Sequence, residues 1–101
     1  MVRHVALFRW KDGTTAGDVS RVEEGLRPLP SQIPCIRAYR FGRDLGIQEG
    51  NADFAVVADF EDEDGLRTYA EHPIHVAVVS ERIRPLVRSR EAIQYVIEDS
   101  D

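Results

Sequence analysis

Few side chains in this sequence can do chemistry. Three histidines, His4, His72 and His75, can exchange protons near neutral pH, because imidazole has an unperturbed pKa of about 6.5. They could share a metal ion if the fold brought them together, yet none pairs at the i, i+4 spacing of a helical zinc motif. Cys35 is the single cysteine. It can form no internal disulfide and no cysteine-based zinc site, and at the start of a strand it reads as a small buried thiol rather than a nucleophile. Glu61-Asp62-Glu63-Asp64 is an acidic run just ahead of Leu66, Tyr69 and Ala70. Carboxylates there favour the positive end of a helix dipole, and the spacing of a calcium loop is absent, so the run reads as a helix start. His4 shares a strand face with Ala6 and Phe8, which suits a hydrogen-bonded structural histidine. No metal and no cofactor is expected.

These residues must be positioned by a chain of 101 residues, 43% hydrophobic and 31% charged. Such a length predicts one domain over 1–101, with its core over about 2–97. A net charge of −5 argues against a nucleic-acid partner. Arg3, His4, Arg9 and Lys11 interrupt the N-terminus as a signal segment, and no apolar stretch is long enough to cross a bilayer. Together with the lone thiol, this predicts a soluble cytoplasmic protein with no membrane partner.

Val2 to Trp10 is a run of strand formers with apolar groups on both faces. Lys11-Asp12-Gly13 is a turn, and Thr14 or Thr15 can cap the helix that follows. From Ala16 to about Leu29, Val19, Val22, Leu26 and Leu29 fall at helical spacing, until Pro28, Pro30 and Pro34 end the helix. A second strand begins near Cys35, with Cys35, Arg37, Tyr39 and Phe41 on one face. A glycine-rich loop leads to a third strand, Asp53 to Phe60, apolar enough for the centre of a sheet. After the acidic run, Pro73 opens a further helical segment with a Val76, Val79, Ile83, Leu86 stripe, and Arg88 to Ile97 alternate as a fourth strand.

The order β-α-β-β-α-β predicts an α+β, ferredoxin-like fold, a four-stranded antiparallel sheet with helices on one face. Helices can cover only that face. The other face, apolar on the first and third strands, calls for a second copy of the sheet, which would also enlarge the thin core of so small a domain. A homodimer forming an α+β barrel is the expected assembly.

Five strings then carry a resemblance: His4-Val5-Ala6-Leu7-Phe8-Arg9-Trp10-Lys11, Ile33-Pro34-Cys35-Ile36, Gly42-Arg43-Asp44, Glu49-Gly50-Asn51-Ala52-Asp53-Phe54-Ala55 and Tyr69-Ala70-Glu71-His72-Pro73-Ile74-His75. In this order they resemble the stress-responsive A/B barrel (Dabb) family from Val2 to about Tyr95. The resemblance implies the same dimeric α+β barrel. It also implies a cavity between sheet and helices for a small organic molecule, since one branch of that family closes poly-β-keto thioesters by intramolecular aldol condensation. Carried over by the His-Pro-x-His motif, His75 would be the base and Tyr69 its phenol partner, with His4, Phe8, Val56 and His72 as substrate contacts. The residue types suit that chemistry, because imidazole can take a proton from a carbon between two carbonyls and a phenol can orient it or donate to the enolate. Against that branch, Phe54 stands where a further histidine is implied, and Val22 and Glu23 stand where larger aromatics are. The alternative is a non-catalytic stress-response or assembly protein whose histidines are structural. A heme or monooxygenase barrel of the same architecture is the runner-up from a neighbouring family.

Overall fold

The computed structural model describes residues 1–98, and the part of the expected C-terminal tail beyond Glu98 lies outside them. Four strands, β1 (Val2–Trp10), β2 (Ile36–Arg43), β3 (Phe54–Phe60) and β4 (Val87–Val96), form one antiparallel sheet in the order β2-β3-β1-β4. Helices α1 (Ala16–Leu26), α2 (Leu29–Gln32), α3 (Glu63–Glu71) and α4 (Pro73–Val78) join them, and α4 runs on through a π-helical turn, Val79–Ile83, and a 3-10 turn, Arg84–Leu86. This is the ferredoxin-like arrangement the element order predicts.

Period-two alternation decides which side chains meet the helices. On β1, His4, Ala6, Phe8 and Trp10 are buried, opposite Phe54, Val56 and Ala58 of β3 in register. Leu26, Leu29, Ile33 and Tyr69 close over them. Each large apolar side chain buried this way contributes roughly 1.5–3 kcal/mol. Thr15 caps α1 in a reciprocal box with Asp18, its Oγ1 accepting from the Asp18 N–H at 3.1 Å. Asp62 caps α3 by accepting from the Gly65 N–H at 2.9 Å, so the acidic run starts a helix as its composition suggests.

Three details differ from the pattern. The first helix stops at Leu26, and Leu29–Gln32 forms a separate short turn, because Pro28 has no N–H to continue the ladder. A register shift between Ile36 and Ala38 moves β2 out of simple alternation, so that Ile36, opposite Phe60, shares the helix-facing side with Tyr39, opposite Ala58. The expected stripe holds at Val79, Ile83 and Leu86, which pack on the core, but not at Val76. Val76 is 45% exposed, while Val78 and Ile83 are the buried pair, and their five-residue spacing matches one π turn.

The opposite face of the sheet carries no helix. Arg3 and Asp59, cross-strand neighbours there, form a two-pronged ion pair at 2.8 and 3.0 Å. Around them Leu7, Ile93 and Tyr95 stand 40%, 59% and 44% exposed.

Gly25 sets how closely α1 approaches the second helical layer. A Cβ built there would lie 2.6 Å from Arg82 Cδ and 3.1 Å from Val78 Cγ1. Gly25→Val should therefore lower stability in denaturant unfolding by about 2 kcal/mol through overpacking. Gly17, whose Cβ would meet only Thr15 Oγ1 at 3.7 Å, behaves differently: Gly17→Ala should raise stability by about 0.5 kcal/mol. Equal effects of the two substitutions would contradict the packing.

Candidate functional site

Between sheet and helices lies a cavity of about 590 Å³. Its floor is His4, Ala6 and Phe8 of β1 with Val56 of β3 and Tyr39 of β2, and its roof includes Tyr69 of α3 and His75 of α4. Apolar groups make up most of the wall, and polar groups converge at a few points, which is the usual make-up of a small-molecule pocket. The cavity opens toward β4, where Arg90 and Gln94 stand exposed on the helix-facing side.

The sheet register places Gln94 directly across from His4. Its side-chain amide nitrogen lies 2.8 Å from His4 Nδ1. An amide N–H only donates, so Nδ1 accepts and the His4 proton sits on Nε2. His75 is held the other way. Its Nδ1 lies 3.3 Å from the Ala70 carbonyl oxygen, which only accepts, so Nδ1 carries the proton and Nε2 keeps a free lone pair. The two imidazoles are thus opposite tautomers, one offering a donor and the other an acceptor.

Burial pushes the His4 pKa below its ordinary value, and the positive charge of Arg90 and the nearby His75 add to the effect. Burial likewise lowers His75, partly offset by the Ala70 hydrogen bond, with Arg90 and His72 lowering it further. Both shifts favour the neutral ring near neutral pH.

Tyr69 is 3% exposed and joins the polar points of the cavity. Its ring centroid is 4.1 Å from that of His75 and 6.5 Å from that of His4. Its hydroxyl is 2.8 Å from the hydroxyl of Tyr39. Burial raises both phenols, Tyr69 to about 12 and Tyr39 further still, with the Tyr69 hydroxyl adding to the rise at Tyr39. Either hydroxyl can be the donor of this pair, and both phenols keep their protons at neutral pH.

Of the residues singled out from sequence, His4, Phe8, Val56, Tyr69 and His75 line this one cavity. His72 does not. Its Nδ1 accepts from the Ile74 N–H at 3.2 Å and caps α4, a local use that turns the ring away from the substrate contact expected of it. Phe54 is also outside the lining, packed against Trp10 and Phe41. Cys35 is half-buried and donates to the Gly65 carbonyl at 3.3 Å. Among the described residues, no three His, Cys, Asp or Glu side chains converge into a set that could hold a metal ion, and no helix is long and apolar enough to cross a membrane. Sequence reasoning misses Tyr39, Gln94 and Arg90 as site residues. Tyr39 is visible as an aromatic on an alternating strand, whereas Gln94 and Arg90 gain meaning only from the β1–β4 register.

The model of the stress responsive A/B barrel domain matches residues 2–97. The chain belongs to this family. A relative of this A/B barrel domain, an uncharacterized protein of Streptomyces coelicolor, is 35% identical over 79% of this chain and 84% of its own. Among solved structures, a dimeric ferredoxin-like protein of unknown function from Thermobifida fusca is 47% identical, with a TM-score of 0.88 over 95% of this chain and 90% of that one. A hydroxynitrile lyase from Passiflora edulis shares the fold at 18% identity, with a TM-score of 0.83 over 97% and 94% of the two chains.

The neutral imidazoles of this A/B barrel domain make its stability depend on pH. With folded pKa values below the unfolded value, the unfolded chain binds more protons at mildly acidic pH. Their contribution is complete above about pH 6.5 and is lost as the pH falls through the depressed folded values. Denaturant unfolding should show lower stability at about pH 5.5 than at about pH 7.5, with a shallower slope in a His4→Gln/His75→Gln double variant. An NMR titration midpoint for either ring at or above about 6.5 would contradict the burial.

Proposed function

We propose that this domain binds a small organic molecule in the cavity and processes it by proton transfer, as an aldol-type cyclase or a related lyase without a cofactor. The observation that supports this most directly is the placing of His75, its Nδ1 engaged by Ala70 and its ring packed at a tilt against Tyr69 at the wall of an apolar cavity. In this reading His75 Nε2 removes a proton from a carbon flanked by carbonyls. The resulting enolate carbon attacks a second carbonyl of the same molecule, forming the new carbon–carbon bond, and the alkoxide that results takes up a proton. The Tyr69 hydroxyl and the His4 Nε2–H are the donors that stabilise the enolate and alkoxide oxygens. His4, Phe8 and Val56 act as contacts along the floor. The likeness to the Passiflora lyase bears on the fold alone.

The protein acts as a homodimer in this proposal, paired through the helix-free face of the sheet. Leu7, Ile93 and Tyr95 supply its apolar surface, and the Thermobifida relative is a dimer. A second reading has one observation in its favour. Among the described residues every buried side-chain nitrogen or oxygen has a hydrogen-bond partner, as expected of structural histidines in a non-catalytic stress-response or assembly protein.

Turnover of a panel of 1,3-diketones and poly-β-keto thioesters separates the two. His75→Ala should reduce cyclisation by about 100-fold or more, and Tyr69→Phe by about tenfold. A panel that is turned over equally by His75→Ala, or not bound at all, favours the non-catalytic reading. The assembly is checked by sedimentation at micromolar concentration: the wild type should run as a dimer and Ile93→Asp as a monomer, and a monomeric wild type would end the dimer proposal.

A further inference from the structure

The charge of the cavity does not match the charge of the chain. The protein as a whole is acidic, at −5, yet the cavity lining contains three arginines, Arg67, Arg84 and Arg90, and no aspartate or glutamate. Arg67 is already engaged, with Glu63 at 3.8 Å and Asp64 at 3.4 Å on its own helix. The other two guanidinium groups are not. Among the described residues neither Arg84 nor Arg90 has a hydrogen-bond or ion-pair partner for its side chain. Arg84 borders the cavity from the 3-10 turn over the sheet, and Arg90 borders it from β4, beside Phe8 on the neighbouring strand.

Two unpaired cations on the rim of a mostly apolar cavity form a recognisable combination. The wall would bury a ring system, and a planar guanidinium matches the two oxygens of a carboxylate. The cavity's low-dielectric wall also strengthens the attraction relative to open surface. Inside, the neutral imidazoles and phenols add no charge of their own, so the arginines set the sign of the site. Arg90 lines the same cavity as His4, Tyr69 and His75 and acts on all three electrostatically.

We infer that the ligand of this cavity is a small organic acid, an apolar ring or chain bearing a carboxylate that Arg84 and Arg90 hold at the β4 mouth while the apolar body lies over Phe8 and Val56. This deepens the proposed function and rests on its reading of the cavity as a ligand site. Held by its acid group at the mouth, such a molecule would present its uncharged part to His75 and Tyr69.

The test compares 2-naphthoate with 2-naphthamide, two molecules of the same ring and nearly the same shape, by calorimetry at low and high salt on the intact protein. The acid should bind about tenfold more tightly than the amide, and the difference should shrink as salt rises. Arg90→Gln and Arg84→Gln should each remove most of that preference while leaving amide binding unchanged, and Arg90→Lys should restore part of it. Both side chains are exposed and unpartnered, so the variants should melt with the wild type, which thermal unfolding checks. Equal binding of acid and amide would overturn the acid assignment and leave the cavity reading standing. A preference for the acid that survives both glutamine variants would overturn it as well. Failure of both compounds to bind would overturn the acid assignment and the cavity reading together.

Discussion

One buried phenol holds the two layers of this molecule in their working relation. Tyr69 leaves α3, crosses the space above the sheet and touches Phe60 below, with ring centroids 5.2 Å apart, Tyr39 on the edge strand and His75 on the next helix. A smaller side chain would let the helix settle onto the sheet. A larger or charged one would meet a hydroxyl and an imidazole already placed. Because the ring is both packing element and polar donor, the distance between layers and the presence of a cavity are one property. That double use lets the apolar interior hold several groups capable of proton transfer, while among the described residues no fully buried side-chain nitrogen or oxygen is left unpaired.

A similar double use appears in the sheet. A two-residue period gives each strand an inner and an outer row. On β1 the inner row carries His4 and the outer row carries Arg3, which pairs with Asp59 across the strand. Adjacent residues therefore serve opposite faces, and the neutral ring and the ion pair are kept apart by the sheet itself. The β4 strand differs from the others because no helix extends over most of its inner row. The cavity is open there because the sheet is wider than its cover.

How much of this could be read in the sequence follows from the range of the interactions involved. Alternation along Val2–Trp10 and Phe54–Phe60 is local, and it locates the central strands and their inner rows. The acidic start of α3 and the proline opening of α4 are local too. Tyr39 and Gln94 could not be placed in the same way, since one depends on a bulge two residues earlier and the other on which residue of β1 it faces. His72 illustrates a competition: a histidine ahead of a proline can cap the helix or face a cavity, and which use prevails is decided only once the backbone direction is known. The π turn that buries Val78 in place of the expected Val76 has no composition of its own.

The opposed tautomers of His4 and His75 give the cavity a sense of direction. A molecule lying between them meets a proton donor at one end and a lone pair at the other, so turning it end for end would set donor against donor. A pair of this kind sets which end of a guest lies toward β1 and which toward α4, and the apolar wall then decides which face it shows. The direction in which a guest lies would then originate in two hydrogen bonds that fix the tautomers, one from a glutamine amide and one to a backbone carbonyl.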